Sequence, residues 1–189
     1  MTKKYIEKIL TARVYDVAVE SPLDIAKLLS KRQGNKVLLK REDLQSIFSF
    51  KLRGAYNRIY QLTRVKDVNG VVAASAGNHA QGVALAADKL GLNATIVMPK
   101  TTPGIKVDAV KSFGAKTVLV GDNYDEACAY ATKYAEEQGL DFIHPYDDTD
   151  TIAGQGTIGL EIVRQHADFI DAIFVPVGGG GLIAGVGAI

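Results

Sequence analysis

The chain has 189 residues, which suits one large domain or two small ones. A hydrophobic share of 47% with 23% charged residues argues against a disordered chain. Its 22 basic and 21 acidic residues leave a net charge of +1, without the basic excess of a nucleic-acid or membrane-surface binder.

The start, Met1-Thr2-Lys3-Lys4-Tyr5-Ile6-Glu7-Lys8, has no continuous apolar stretch behind its basic residues, so no signal peptide is expected. Residues 37–39 read as a strand and 47–62 as a helix. From residue 71 onward, β-branched runs alternate with helical stretches. Strands are predicted at 71–74, 95–98, 116–120, 141–143 and 172–177. Helices are predicted at 79–90, from Pro103 to residue 113, at 123–137 and within 151–165, and the chain ends inside another helix. Runs that are apolar throughout suit strands buried on both faces, so the expected class is α/β, with a parallel sheet wound by helices. The 18 uncharged residues 172–189 reach the length of a membrane span, but Pro176 and four consecutive glycines favour a strand, a turn and a helix start. The single cysteine, Cys128, allows no internal disulfide and reads as a packing residue. His79, His144 and His166 lack metal-ligand spacing. A reducing compartment, most simply the cytosol, and no metal are expected.

Three places carry candidate chemistry. Lys51 shares a helix pattern with Phe48, Leu52, Ala55, Tyr56 and Ile59. A lysine near an apolar face snorkels, pairs or loses its proton, and a neutral lysine amine can form a Schiff base. The string Ser75-Ala76-Gly77-Asn78-His79-Ala80-Gln81-Gly82 joins a strand to a helix at the strand's carboxyl end. Free amides there suit an anion such as a carboxylate, with Ser75 and Asn78 as added donors; simple helix capping is the alternative. Ser75 also sits in an imperfect nucleophile-elbow pattern, which leaves a serine hydrolase open. Gly178, Gly179, Gly180 and Gly181 follow a predicted strand and precede a helix start, so their amides can converge on a phosphate. Gly179, Gly181 and Ala184 also fit the dinucleotide fingerprint, and a flexible loop is the plain alternative.

Taken in order, Lys40-Arg41-Glu42-Asp43-Leu44-Gln45, Ser49-Phe50-Lys51-Leu52-Arg53-Gly54-Ala55, the 75–82 string and Gly178-Gly179-Gly180-Gly181-Leu182 closely resemble the threonine dehydratase (threonine ammonia-lyase) family, biosynthetic type. Serine racemase and serine dehydratase share the single motifs. The resemblance implies the tryptophan-synthase-β-like fold of pyridoxal-phosphate (PLP) enzymes, fold type II, incomplete at the C-terminus. Residues 1–61 and 161–189 would belong to a large domain and 62–160 to an inserted small one. By the same resemblance Lys51 would carry PLP, Asn78 would meet its ring oxygen, and Gly178, Gly179, Gly180, Gly181 and Leu182 would hold its phosphate. Ser75, Ala76, Gly77, Asn78 and His79 would hold the substrate carboxylate. Deamination of L-threonine to 2-oxobutanoate and ammonia, the first step of isoleucine biosynthesis, is the implied reaction. A homo-oligomer, a tetramer by family, is the implied assembly. The family's catalytic domain continues past Ile189, so the chain reads as an N-terminal fragment, inactive alone. A dinucleotide-binding module and a ligand-free fragment remain as rival readings.

Overall fold

The computed structural model describes residues 2–189; Met1, the first residue of the stretch read for a leader, lies outside them. The chain opens with α1 (Thr2–Leu10). Strands β1 (Leu23–Ile25) and β2 (Leu38–Lys40) flank α2 (Lys27–Gln33) and pair antiparallel in a sheet of their own. The strand expected near 37–39 therefore exists but joins no parallel sheet. With no fully buried residue, neither it nor β1 has the two-sided burial that a parallel strand needs.

The second sheet is parallel: β3 (Val71–Ala74), β4 (Ala94–Met98), β5 (Lys116–Leu119) and β6 (Asp141–Phe142), in the order β5-β4-β3-β6. Strand parity explains how it is covered. Val71, Ala73, Ile96 and Met98 point to the face occupied by α4 (Asn78–Lys89) and α5 (Gly104–Lys111). Val72, Ala74 and Val97 point to the opposite face, against Ala127, Ala131 and Ala135 of α6 (Tyr124–Gln138). The chain steps from β3 to β4 to β5 along one face, then returns by α6 along the other to place β6 on the far side of β3. Strand order thus reverses at β3, and the segments leaving β3 and β6 lie side by side at their carboxyl ends, where His79 meets the Ile143 carbonyl. Open parallel sheets form a ligand crevice at such a point.

A helical layer supports that crevice: α3 (Lys51–Val65), α7 (Thr149–Gln165) and α8 (Gly181–Val186). Helix α3 begins four residues later than expected, because residues 45–50 turn, with Phe48 at φ 55°. Close approach in this layer depends on missing side chains. A methyl group on Gly154 would stand 2.6 Å from the Arg53 carbonyl and 2.7 Å from the Gly54 Cα, and one on Gly185 would stand 2.6 Å from the Gly156 nitrogen.

A buried ionic cluster joins the same helices. The fully buried Arg53 guanidinium meets Glu161 at 2.6 and 3.1 Å, and meets Glu42, in a short 3-10 turn (Glu42–Leu44), at 2.8 Å through two nitrogens. Lys40 adds a second cation 2.6 Å from Glu161, and the Tyr15 hydroxyl donates to Glu161 at 2.9 Å. Burial lowers the Arg53 pKa, but the two carboxylates more than offset it and the net shift is upward.

The expected strand at 172–177 is not formed. The segment joins neither sheet, and Phe174 is 94% exposed. A strand's hydrogen bonds are made to a neighbour, and no described strand lies beside it. The expected domain limits at 61/62 and 160/161 fall inside α3 and α7. None of the described helices is long and apolar enough to cross a membrane.

Gly154→Ala should force α3 and α7 apart and destabilise the fold by about 1–3 kcal/mol. Gly104→Ala should not, since a methyl there meets nothing within 4 Å. Denaturant midpoints of the two variants check the contrast.

Candidate functional site

A cavity of about 330 Å³ opens at the carboxyl end of β3. Three segments shape it. The start of α3 brings Lys51, whose Nζ donates to the Pro145 carbonyl at 2.8 Å and stands 5.6 Å from the Phe50 ring centre. Burial lowers the Lys51 pKa, so its amine is shifted toward the neutral, nucleophilic form.

The turn from β3 into α4 brings Ser75, Asn78 and His79 to the same cavity. The N-cap is Gly77, and no side chain caps the helix there, so Ser75 and Asn78 do not play the simple capping role. Ser75 Oγ instead accepts from the Gly77 amide at 3.2 Å, tightening the turn. Free amides at the start of a twelve-residue helix, aimed at the cavity with the positive end of its dipole, suit a carboxylate. Ala76 and Gly77 shape this turn without lining the cavity.

His79 is 3% exposed. Its Nε2 lies 2.9 Å from the Ile143 carbonyl, which can only accept, so Nε2 carries the hydrogen. Nδ1 is left as a buried acceptor with no partner. Burial, and then the nearby Lys51, bring the His79 pKa down to about 4, with the Ile143 bond opposing. No histidine is bonded to Ser75 among the described hydrogen bonds. His79 is committed to Ile143, and His144 Nδ1 accepts from the Asp147 amide at 2.8 Å. A serine nucleophile with an imidazole base is therefore not assembled.

The third segment follows β6. Ile143 and Pro145 offer carbonyls to His79 and Lys51, while Tyr146 lines the cavity. Tyr124, the first residue of α6, completes the wall, and burial pushes its hydroxyl up to about 12. Sequence reading missed Tyr124, Pro145 and Tyr146 as site residues. The available signal was period-two spacing: Phe142, His144 and Tyr146 share one side of an extended segment and meet edge to face.

The glycine run stands behind this wall. Gly178, Gly179, Gly180, Gly181 and Leu182 do not line the cavity. A side chain on Gly179 would strike the Tyr146 ring, and one on Gly181 would lie 2.8 Å from the Tyr146 carbonyl, so only glycines let the run pack so closely. Gly180, at φ 85°, turns the chain into α8. Tyr146 is thus a wall shared by the Lys51 cavity and the glycine run. The run lacks the preceding strand that a dinucleotide fingerprint needs, and α8 is only six residues long. Among the described residues there is no His/Cys/Asp/Glu cluster able to hold a metal.

Comparison with known proteins identifies the family. Residues 16–189 match the family model described as pyridoxal-phosphate dependent enzyme. The chain is 60% identical over 185 residues to the biosynthetic, chloroplastic threonine dehydratase of Arabidopsis thaliana, covering 98% of itself but only 31% of that relative. It superposes on the processed form of threonine deaminase isoform 2 from Solanum lycopersicum with a TM-score of 0.95 at 56% identity, covering 99% of itself and 51% of that chain. Maize serine racemase superposes with a TM-score of 0.90 at 38% identity, over 96% of this chain and 55% of that one.

The depressed His79 pKa has a measurable consequence. Between pH 6.5 and about 4 the unfolded chain holds a proton on this imidazole that the folded chain refuses. The resulting stability is fully present above pH 6.5 and is lost as pH falls through that window, in total about 3 kcal/mol. Replacing His79 by Gln should flatten the stability-against-pH curve there. Identical curve shapes from pH-resolved denaturation would contradict the burial argument.

Proposed function

Because the chain belongs to the family of pyridoxal-phosphate-dependent enzymes, we propose that the complete protein deaminates L-threonine to 2-oxobutanoate and ammonia, the opening step of isoleucine biosynthesis. The observation that supports this best is a single cavity in which a desolvated lysine amine faces the amide-rich start of α4. The identity to threonine dehydratases supports the choice of substrate.

The residues at the lysine end fit the cofactor, and the glycine run that would take its phosphate lies across Tyr146 from them. Lys51 offers an amine shifted toward neutrality for its aldehyde. The glycine run offers amides at positions where a side chain would collide with Tyr146, beside Gly178 and Gly180, where one would meet nothing within 4 Å. In this reading Lys51 would hold the cofactor's aldehyde carbon, Asn78 its ring oxygen, and Gly178, Gly179, Gly180, Gly181 and Leu182 its phosphate. Bound PLP supplies a ring that takes up electrons from the substrate's α-carbon. The 75–79 turn holds the substrate carboxylate through the Ser75 hydroxyl and the amides of Asn78 and His79, while the Gly77 amide, bonded to Ser75 Oγ, shapes the turn. The Pro145 carbonyl keeps Lys51 Nζ against the cavity wall. With the substrate bound, Lys51 Nζ would be the base that takes the α-proton. His79 stays neutral and places no second cation beside that amine. Loss of the β-hydroxyl as water leaves an enamine, and hydrolysis of its imine tautomer takes one water back, so threonine becomes 2-oxobutanoate plus ammonia.

The two-domain division, with 62–160 as the inserted unit, and a homo-oligomeric assembly belong to the same proposal. A cytosolic location rests on the single cysteine, whereas the Arabidopsis relative is named as chloroplastic, so compartment varies within this group.

Lys51→Ala should abolish turnover and the cofactor's visible absorbance band in the complete protein. Borohydride reduction and peptide mapping should place the cofactor on Lys51; another labelled lysine contradicts the assignment. Ser75→Ala should raise KM for threonine about 10- to 100-fold, as expected for one lost hydrogen bond to a charged group, with far less effect on cofactor affinity. An unchanged KM removes Ser75 from the site.

A further inference from the structure

Beyond the lysine and the carboxylate turn, the cavity has one wall with no assigned task. Phe50 and Pro145 belong to the lysine end, since both touch the Lys51 amine. Ser75, Asn78 and His79 form the α4 end. The remaining side chains of size are Tyr124 and Tyr146. With the amine and carboxylate of an α-amino acid held at those two ends, this pair is the wall left to meet its third substituent.

The two tyrosines are held differently. Tyr146 is backed by Gly179 and Gly181 and meets the His144 ring edge-on at 4.7 Å. Changing it would disturb the glycine run. Tyr124 is 43% exposed and belongs to no aromatic pair. Its position is fixed from the backbone. Asn123 Oδ1 accepts from the Glu126 amide at 3.0 Å, while the Glu126 carboxylate accepts from Asn123 Nδ2 at 2.8 Å and from the Asp122 amide at 2.9 Å. Below that cap, Ala127, Ala131 and Ala135 anchor α6 under the sheet. The ring therefore projects into the cavity from a rigid base, and its size can change without altering that base.

We propose that Tyr124 is a specificity-determining residue: its ring limits the length of the side chain that the site accepts. This rests on the reading of Lys51 and the 75–79 turn given above. The hydroxymethyl and hydroxyethyl groups of serine and threonine fit beneath the ring, and longer β-hydroxy side chains are excluded.

The test uses the complete, cofactor-loaded protein and three variants. In Tyr124→Ala, kcat/KM for 2-amino-3-hydroxypentanoate relative to threonine should rise about tenfold or more, the range that one methylene commands in an apolar pocket. In Tyr124→Trp, the serine-to-threonine ratio should rise instead. Tyr124→Phe should keep the wild-type order; a changed order would replace the size limit with a hydrogen bond from the hydroxyl and so overturn the proposal. Ratios within twofold of wild type in both Tyr124→Ala and Tyr124→Trp, with the cofactor band intact, also overturn it. The described sequence contains no tryptophan, so Tyr124→Trp gives a reading independent of turnover. Its emission, compared with wild type, should shift on titration with L-threonine, and no shift at saturation removes Tyr124 from the wall. If the wild-type protein neither carries PLP on Lys51 nor consumes threonine, the functional reading itself fails and this inference falls with it.

Discussion

The buried contact between Arg53 and the carboxylates of Glu42 and Glu161 is the constraint on which the rest of the site depends. Taking these charges out of water is costly, and removing one partner from such a cluster typically costs about 3–5 kcal/mol. Lys40 brings the cluster to two cations and two anions, so no net charge is buried. The guanidinium also donates to Thr157 at 3.0 Å and to the Val19 carbonyl at 3.1 Å. This fork of donors fits one rotation of α3 against α7, and a slip of one residue would strand every partner. Lys51 lies two positions before Arg53, and residues so spaced on a helix do not share a face. Locking Arg53 toward α7 therefore turns Lys51 away from it and into the cavity.

A second constraint comes from sheet order. Because β6 lies beside β3, the segment leaving β6 passes directly beneath the turn leaving β3. In an extended segment the carbonyls of residues i and i+2 point the same way. Ile143 and Pro145 thus present matching acceptors, one to His79 Nε2 and one to Lys51 Nζ. Two groups from the packed helices α3 and α4 are held by one three-residue stretch. The first bond also selects the imidazole tautomer and leaves Nδ1 bare toward the interior.

Much of this was legible in the sequence where the signal was local. Val71–Ala74 is a continuous apolar run and Ala94–Met98 is broken only by Thr95, and buried parallel strands need little else. Lys51 and the 75–79 turn stood out because short strings carry their chemistry. Residues whose role arises from distant partners were silent. Nothing near Arg53 announces Glu161, 108 positions away. Tyr124 and Tyr146 look like ordinary aromatics until the reversal of strand order brings both to β3. The upstream strand was seen, but its antiparallel pairing with Leu23–Ile25 was not, because pairing direction depends on where α2 sends the chain.

The contrast between residues 172–177 and α8 shows why some elements stand alone. Helix α8 satisfies its backbone within itself, with Ala184 donating to Gly180 and Gly187 to Ile183, each at 2.9 Å. A strand has no such internal solution, however apolar its side chains. Ile173 and Phe174 remain exposed, although burying an aliphatic or aromatic side chain contributes about 1.5–3 kcal/mol. The preference is present in the residues, but a hydrogen-bonding neighbour is required to realise it. The glycine run sits between these two cases. Behind it, Tyr146 and the α7–α8 contact fix the start of the helix through backbone approaches that admit no side chain. Ahead of it, the chain is held by no ladder. The order of the run therefore comes from the helical layer and from Tyr146, so the same aromatic wall that bounds the Lys51 cavity also sets where the glycine amides can point.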